Sequence, residues 1–239
     1  MSTLKVPSLQ HLARLWRAEP QAIRRSLINL VNHGPTFSYA VVYDAVRDLL
    51  VLSVPYELVV AGMNRIKRED IRRNFLGLLP LVREYFDGVS ASFVQSVAPR
   101  YYPVGRNLTI PFQPPLIYGS GGKIFFPWFS FWRSNPLKGE ALSLFVTVVE
   151  EVLLQDADLE EAEFEILDFS APDAKSERTL KIINARDIPR VSDRRKMEML
   201  SIFAEGFHLA TAEIQNRPTD SAAPKPKDSD DQQTGLFDF

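Results

Sequence analysis

The 239-residue chain has no cysteine, which rules out disulfides and thiolate-ligated metal and fits a reducing, cytoplasmic compartment. It lacks a long apolar run. The best, Leu142 to Val149, is short and meets Glu150 and Glu151, so no membrane span is expected. The first residues, MSTLKVPSLQHLARLW, hold no basic head followed by an apolar stretch, so no secretory signal is read there. Histidine is scarce. His11, His33 and His208 are isolated, with no partner at ligand spacing, so no metal site is expected. No Gly-x-Ser-x-Gly elbow or dinucleotide fingerprint is present. Gly122-Lys123 is followed by Ile124, where a phosphate loop needs Ser or Thr. Asp168 with Asp173-Ala174-Lys175 superficially matches a nuclease pattern, but Pro172 places Asp173 in a turn, off the strand that chemistry requires. The chain is therefore expected to be no enzyme and to need no cofactor.

What is present suits a core. Hydrophobic residues make up 45% and aromatics 11% of the chain. Charge is divided unevenly around a net of −2. Residues 1–110 hold 14 Lys/Arg against 8 Asp/Glu, and residues 111–216 hold 11 against 17. The two halves are expected to neutralise each other; direct DNA contact by the basic half is the alternative. The string from Arg65 to Arg73 is read as a solvated face, with phosphate contact as its sharper alternative.

Hydrophobic spacing predicts an α+β fold with a helical N-terminal part (1–90), an α+β part (91–215) continuous with it, and a disordered tail (216–239). Leu9, Leu12, Ala13, Leu15 and Trp16 mark a helix after Ser8, and Pro20 opens a second ending at His33-Gly34-Pro35. The helical pattern continues over 38–50, 56–66 and 69–86. Residues 107–112 and 123–132 read as strands joined by the tight connection Gly119-Ser120-Gly121-Gly122. A helix is expected over 141–155, its β-branched content leaving a strand open for the first half, and an antiparallel strand pair over 163–169 and 179–185, giving a mixed, mainly antiparallel sheet. Ser192 caps a long C-terminal helix with Met197, Leu200, Ile202, Phe203, Phe207 and Ile214 on its apolar face. Phe125-Phe126-Pro127-Trp128-Phe129-Ser130-Phe131-Trp132 places aromatics on both faces of a strand, as a doubly buried core strand would. A stacking platform for single-stranded nucleic acid, with Arg100, Arg106 and Arg133 nearby, is the functional alternative.

Residues 216–231, NRPTDSAAPKPKDSDD, hold no large apolar side chain and cannot offset chain entropy by burial. Leu236 and Phe237 follow them with no core to join. Gln233-Thr234-Gly235-Leu236-Phe237 resembles the Gln-x-x-Leu-Phe peptide of bacterial sliding-clamp-binding proteins. In that family Gln bonds at a groove rim while Leu and Phe fill an apolar pocket, roles that fall here on Gln233, Leu236 and Phe237. Thr234 stands where the family favours Leu, and Gly235 adds freedom to be lost. Burial of Leu236 and Phe237 at roughly 1.5–3 kcal/mol each suits a micromolar contact of about −8 kcal/mol. An internal near-match, Gln113-Pro114-Pro115-Leu116-Ile117, sits in an apolar segment and is read as structural.

The resemblance implies a bacterial partner, the DNA sliding clamp (the beta subunit, DnaN). It is similar to the mode of replication inhibitors that act as toxins of toxin-antitoxin systems by occupying the clamp and blocking elongation. It would bring a proteolytic-adaptor antitoxin and regulation by the ClpXP protease. The alternative is a clamp-recruited DNA repair or processing accessory factor.

Overall fold

A computed structural model describes residues 4–34, 37–113, 115–173 and 175–217. The predicted tail from Pro218 onward lies outside the described residues. The fold is α+β. Five helices come first: α1 (Leu9–Leu15), α2 (Pro20–His33), α3 (Ala40–Leu50), α4 (Tyr56–Met63) and α5 (Glu69–Phe86). Strands β1 (Phe93–Gln95), β2 (Arg100–Gly105), β3 (Leu108–Phe112), β4 (Ile117–Ser120) and β5 (Lys123–Ser130) follow. Helix α6 (Gly139–Leu153) leads to β6 (Glu163–Asp168), β7 (Lys181–Asn184) and the long α7 (Asp193–Gln215).

The main sheet runs β1-β4-β5-β6-β7 and is antiparallel except between β5 and β6, which α6 connects in parallel. Strands β2 and β3 form a separate antiparallel hairpin. This corrects one expected pairing. The Gly121-Gly122 turn, with φ of +59° and +77°, joins β5 to β4, whereas 107–112 pairs with β2. A two-residue turn needing positive φ at both positions selects glycine, and its partner strand must lie immediately before it.

Strand β5 and the two residues of aromatic sequence just after it divide the core. Phe126, Trp128 and Trp132 face one cluster, with Leu9 and Leu12 of α1, Ile23 and Leu27 of α2, α6, α7 and the β2–β3 hairpin. Phe129 and Phe131 face the other, with α3, α4 and α5. All five of these aromatic side chains are buried. Strand β6 repeats the division, with Phe164 and Ile166 on the first side and Leu167 on the second. The doubly buried reading of 125–132 thus holds, and these rings are closed to any stacked base.

Helices α2 and α7 meet at a glycine. A Cβ built on Gly206 would come within 2.7 Å of the Ile23 Cβ and 2.8 Å of the Pro20 carbonyl oxygen. Gly77, on the exposed side of α5, has open space at the same position. Gly206→Ala should therefore lower stability by about 1–3 kcal/mol, because two backbones must part. Gly77→Ala should raise it by about 0.5–1 kcal/mol through helix propensity. Urea denaturation midpoints of the two variants check the opposite signs.

Candidate functional site

The predicted clamp peptide, Gln233, Thr234, Gly235, Leu236 and Phe237, lies outside the described residues. The structure instead describes the helix that precedes it. Helix α7 starts where Ser192 Oγ accepts from the Arg195 backbone N–H at 3.4 Å, the expected cap. Met199, Phe203, Phe207, Ala210 and Ile214 lie along its buried side. Met197, expected on that face, is 65% exposed, and Ile202 is only partly buried. The i, i+4 spacing of Met199, Phe203 and Phe207 defines the row, and Met197, two residues out of step, falls on the opposite side. At the far end the Arg217 guanidinium donates to Asn32 Oδ1 at 2.9 Å, tying α7 back to α2.

The charge halves meet as expected. Arg24 pairs with Glu213, Arg100 with Asp156 at 2.5 Å, and Arg106 with Glu205 at 3.0 Å. The Tyr102 hydroxyl donates to Glu151 at 2.6 Å, and burial together with that carboxylate pushes its pKa up to about 12. Lys196, largely buried, pairs with Glu151 as well. Part of the basic string is compensated locally: Arg68 pairs with Asp70 at 2.6 Å and Arg73 with Glu69 at 2.7 Å, while Arg65 and Lys67 stay exposed. Arg72 donates to the Ile66 carbonyl at 3.1 Å. The arginines of the supposed stacking platform are also engaged, since Arg133 donates to the Ser176 carbonyl at 2.9 Å.

The acidic residues weighed for nuclease chemistry have structural tasks. Buried Asp168 accepts from Asn135 Nδ2 at 2.7 Å and from the Ser170 N–H at 3.0 Å. Asp173 holds its own turn, accepting from the Lys175 and Ser176 N–H groups at 2.8 Å each. Those bonds, led by one from the Ser176 hydroxyl, keep its carboxyl below the usual carboxylate range. Among the described residues no group of three or more His, Asp or Glu is placed to hold a metal ion. No helix among them is long and apolar enough to cross a membrane. In the internal near-match, Leu116 and Ile117 are buried, and Ile117 opens β4, so these two serve the core.

No family model matches the chain, and no curated protein matches it.

His11, read from the sequence as a core or surface residue and not a ligand, is wholly buried with neither ring nitrogen hydrogen-bonded. Its ring meets Trp132 edge-to-face at 5.6 Å. Burial, and then the charge of Arg14, hold its pKa well below 6.5. Its neighbours from α1 and from the strand-end tryptophan come from opposite halves of the chain, so no local spacing announces the site. The consequence for stability follows from linkage. Below about pH 6.5 the unfolded chain takes up a proton at His11 that the folded chain refuses, so folding weakens as pH falls through that value and is unaffected above it. Between pH 7.5 and 5.5 the wild type should lose more stability than His11→Phe, measured by urea denaturation at both pH values.

Proposed function

We propose that this protein binds the bacterial DNA sliding clamp through Gln233–Phe237 and inhibits replication elongation by competing with other clamp partners. The observation that carries this is the Gln-x-x-Leu-Phe peptide itself, placed after a segment with no large apolar residue. Gln233 would supply the polar contact at the groove rim, and Leu236 and Phe237 the apolar anchors. Clamp partners share one groove, so a chain that enters it without chemistry of its own acts by recruitment or by exclusion. Exclusion is favoured because Arg24, Arg68, Arg72, Arg73, Arg100 and Arg106 of the basic half meet carboxylates or carbonyls within the fold. A DNA-handling accessory factor would want those cations turned outward.

Such a protein would resemble SocB, a toxin that occupies the clamp. By that likeness its partner would be an antitoxin, SocA, an adaptor that hands the toxin to the ClpXP protease. The physical requirement behind such control is mass action. A peptide of micromolar affinity displaces competitors only when abundant, so its level decides whether replication proceeds.

Phe237→Ala and Gln233→Ala should each weaken binding of the intact chain to the purified clamp about tenfold or more, since each removes one of a short peptide's few anchors. Equal affinity of wild type and Phe237→Ala by calorimetry would end the clamp assignment. Overproduction should arrest DNA synthesis, and Leu236→Ala with Phe237→Ala should abolish the arrest. Arrest that persists in the double variant would place inhibition elsewhere.

A further inference from the structure

We propose that a cleft between α1, α2 and the segment entering α6 binds a small organic anion, a carboxylate or phosphate group on a short apolar stem. The cleft has a volume of about 420 Å³. That falls within the range of roughly 300–1,000 Å³ typical of small-molecule sites. Its polar lining comes from His11, Arg14, Arg17, Ser26 and Asn29, and among the described residues no Asp or Glu takes part. A concave surface that presents the Arg17 guanidinium, with no acid among its described lining residues, is electropositive, and low-dielectric walls concentrate that potential.

The two arginines are held in place before any ligand arrives. The Arg17 Nη1 donates to the Arg14 and Trp16 carbonyls at 3.0 and 2.6 Å, at the C-terminal end of α1. Among the described residues Arg17 forms no ion pair, so its remaining N–H groups are available. The Arg14 guanidinium lies over the Trp132 ring, 5.5 Å from its centroid. His11 forms part of the wall. It is fully buried, its nitrogens have no partner, and its lowered pKa keeps the ring neutral at physiological pH. A neutral ring thus supplies wall without adding charge to the free protein. Ser26 is already committed, its hydroxyl donating to the Ala22 carbonyl at 3.0 Å, so it can offer only lone pairs. Leu15 and Pro136 line the cleft beside the polar groups and provide the surface for an apolar stem. A nucleic-acid backbone fits less well, because it needs a track of cations and the cleft is a single concave site lined by two.

The test is calorimetric titration of the full chain with phenyl phosphate and with benzoate at low ionic strength, phenol serving as the uncharged control. Saturable one-to-one binding is expected for at least one anion and none for phenol. The preferred probe tells phosphate from carboxylate. Arg17→Gln and Asn29→Asp should each weaken that binding about tenfold, the first by removing a charge-assisted donor and the second by adding a like charge. Both positions are exposed, so an unchanged thermal midpoint verifies the fold of each variant. Ring resonances of His11 should shift on addition of the bound anion. Failure of both anions to bind, affinity unchanged in both variants, or binding of a single-stranded oligonucleotide alone would overturn the proposal.

Discussion

The fold depends on burying both faces of one strand. β5 and the residues just after it contribute Phe126, Trp128 and Trp132 to one side of the sheet and Phe129 and Phe131 to the other. A strand with no wet face cannot stand at an edge, so it needs a neighbour on each flank, and β4 and β6 supply them. Parallel pairing with β6 demands a crossover, and α6 provides it while covering one face. The same constraint reaches past the strand ends, where backbone carbonyls still need donors in a dry interior. The buried Arg178 guanidinium meets that need, donating from Nη1 to the carbonyls of Phe131, Trp132 and Phe169 at 2.9–3.2 Å. Its Nη2 reaches Asn74 Oδ1 of α5 at 2.7 Å, which ties the second layer to the strand ends. Loss of this one side chain would strand three buried acceptors at once.

Legibility in the sequence followed the strength of local signals. Glu69–Phe86 is readable from a long amphipathic period that opens on Glu69 and Asp70, and α7 because the Ser192 cap and such a period agree. The double burial of 125–132 was readable because no alternating polar residue marks a wet face. Strands β1, β2 and β4 were not seen. Each spans three to six residues, too few for a period to emerge, and Pro103 within β2 argues locally against a strand. Pro103 is tolerated because β2 has a partner on one side only. Ser8 shows a different limit. It occupies the position before α1, but its buried hydroxyl finds no partner and makes no cap bond, so residue type located the helix start without the usual bond.

The candidate sites were legible to opposite degrees. Gln233–Phe237 is a contiguous string whose meaning depends on few neighbours, so sequence alone displays it. The anion cleft is assembled from α1, α2 and Pro136, with Arg14 lying over Trp132 some hundred residues away in the chain. Nothing in the local sequence marks Arg14 and Arg17, whose wall is supplied by α2 and by Trp132. The difference is one of contact range. Peptide motifs are read along the chain, whereas pockets belong to tertiary packing.

These sites also divide the labour between the chain's parts. Affinity that rests on two apolar anchors is bounded near the micromolar range, so a competitor for the clamp must act through its concentration. Concentration in a cell responds to the fraction of protein that is unfolded and exposed to proteolysis. For a fold with a few kcal/mol to spare, features such as the close Gly206–Ile23 contact and the unpartnered His11 then bear on dose as much as on shape. A ligand in the α1–α2 cleft would act on the same quantity, since anything bound only to the folded state raises its population. On the clamp proposal, the folded part would in this way govern how much of the peptide is present, and the peptide would govern where it binds.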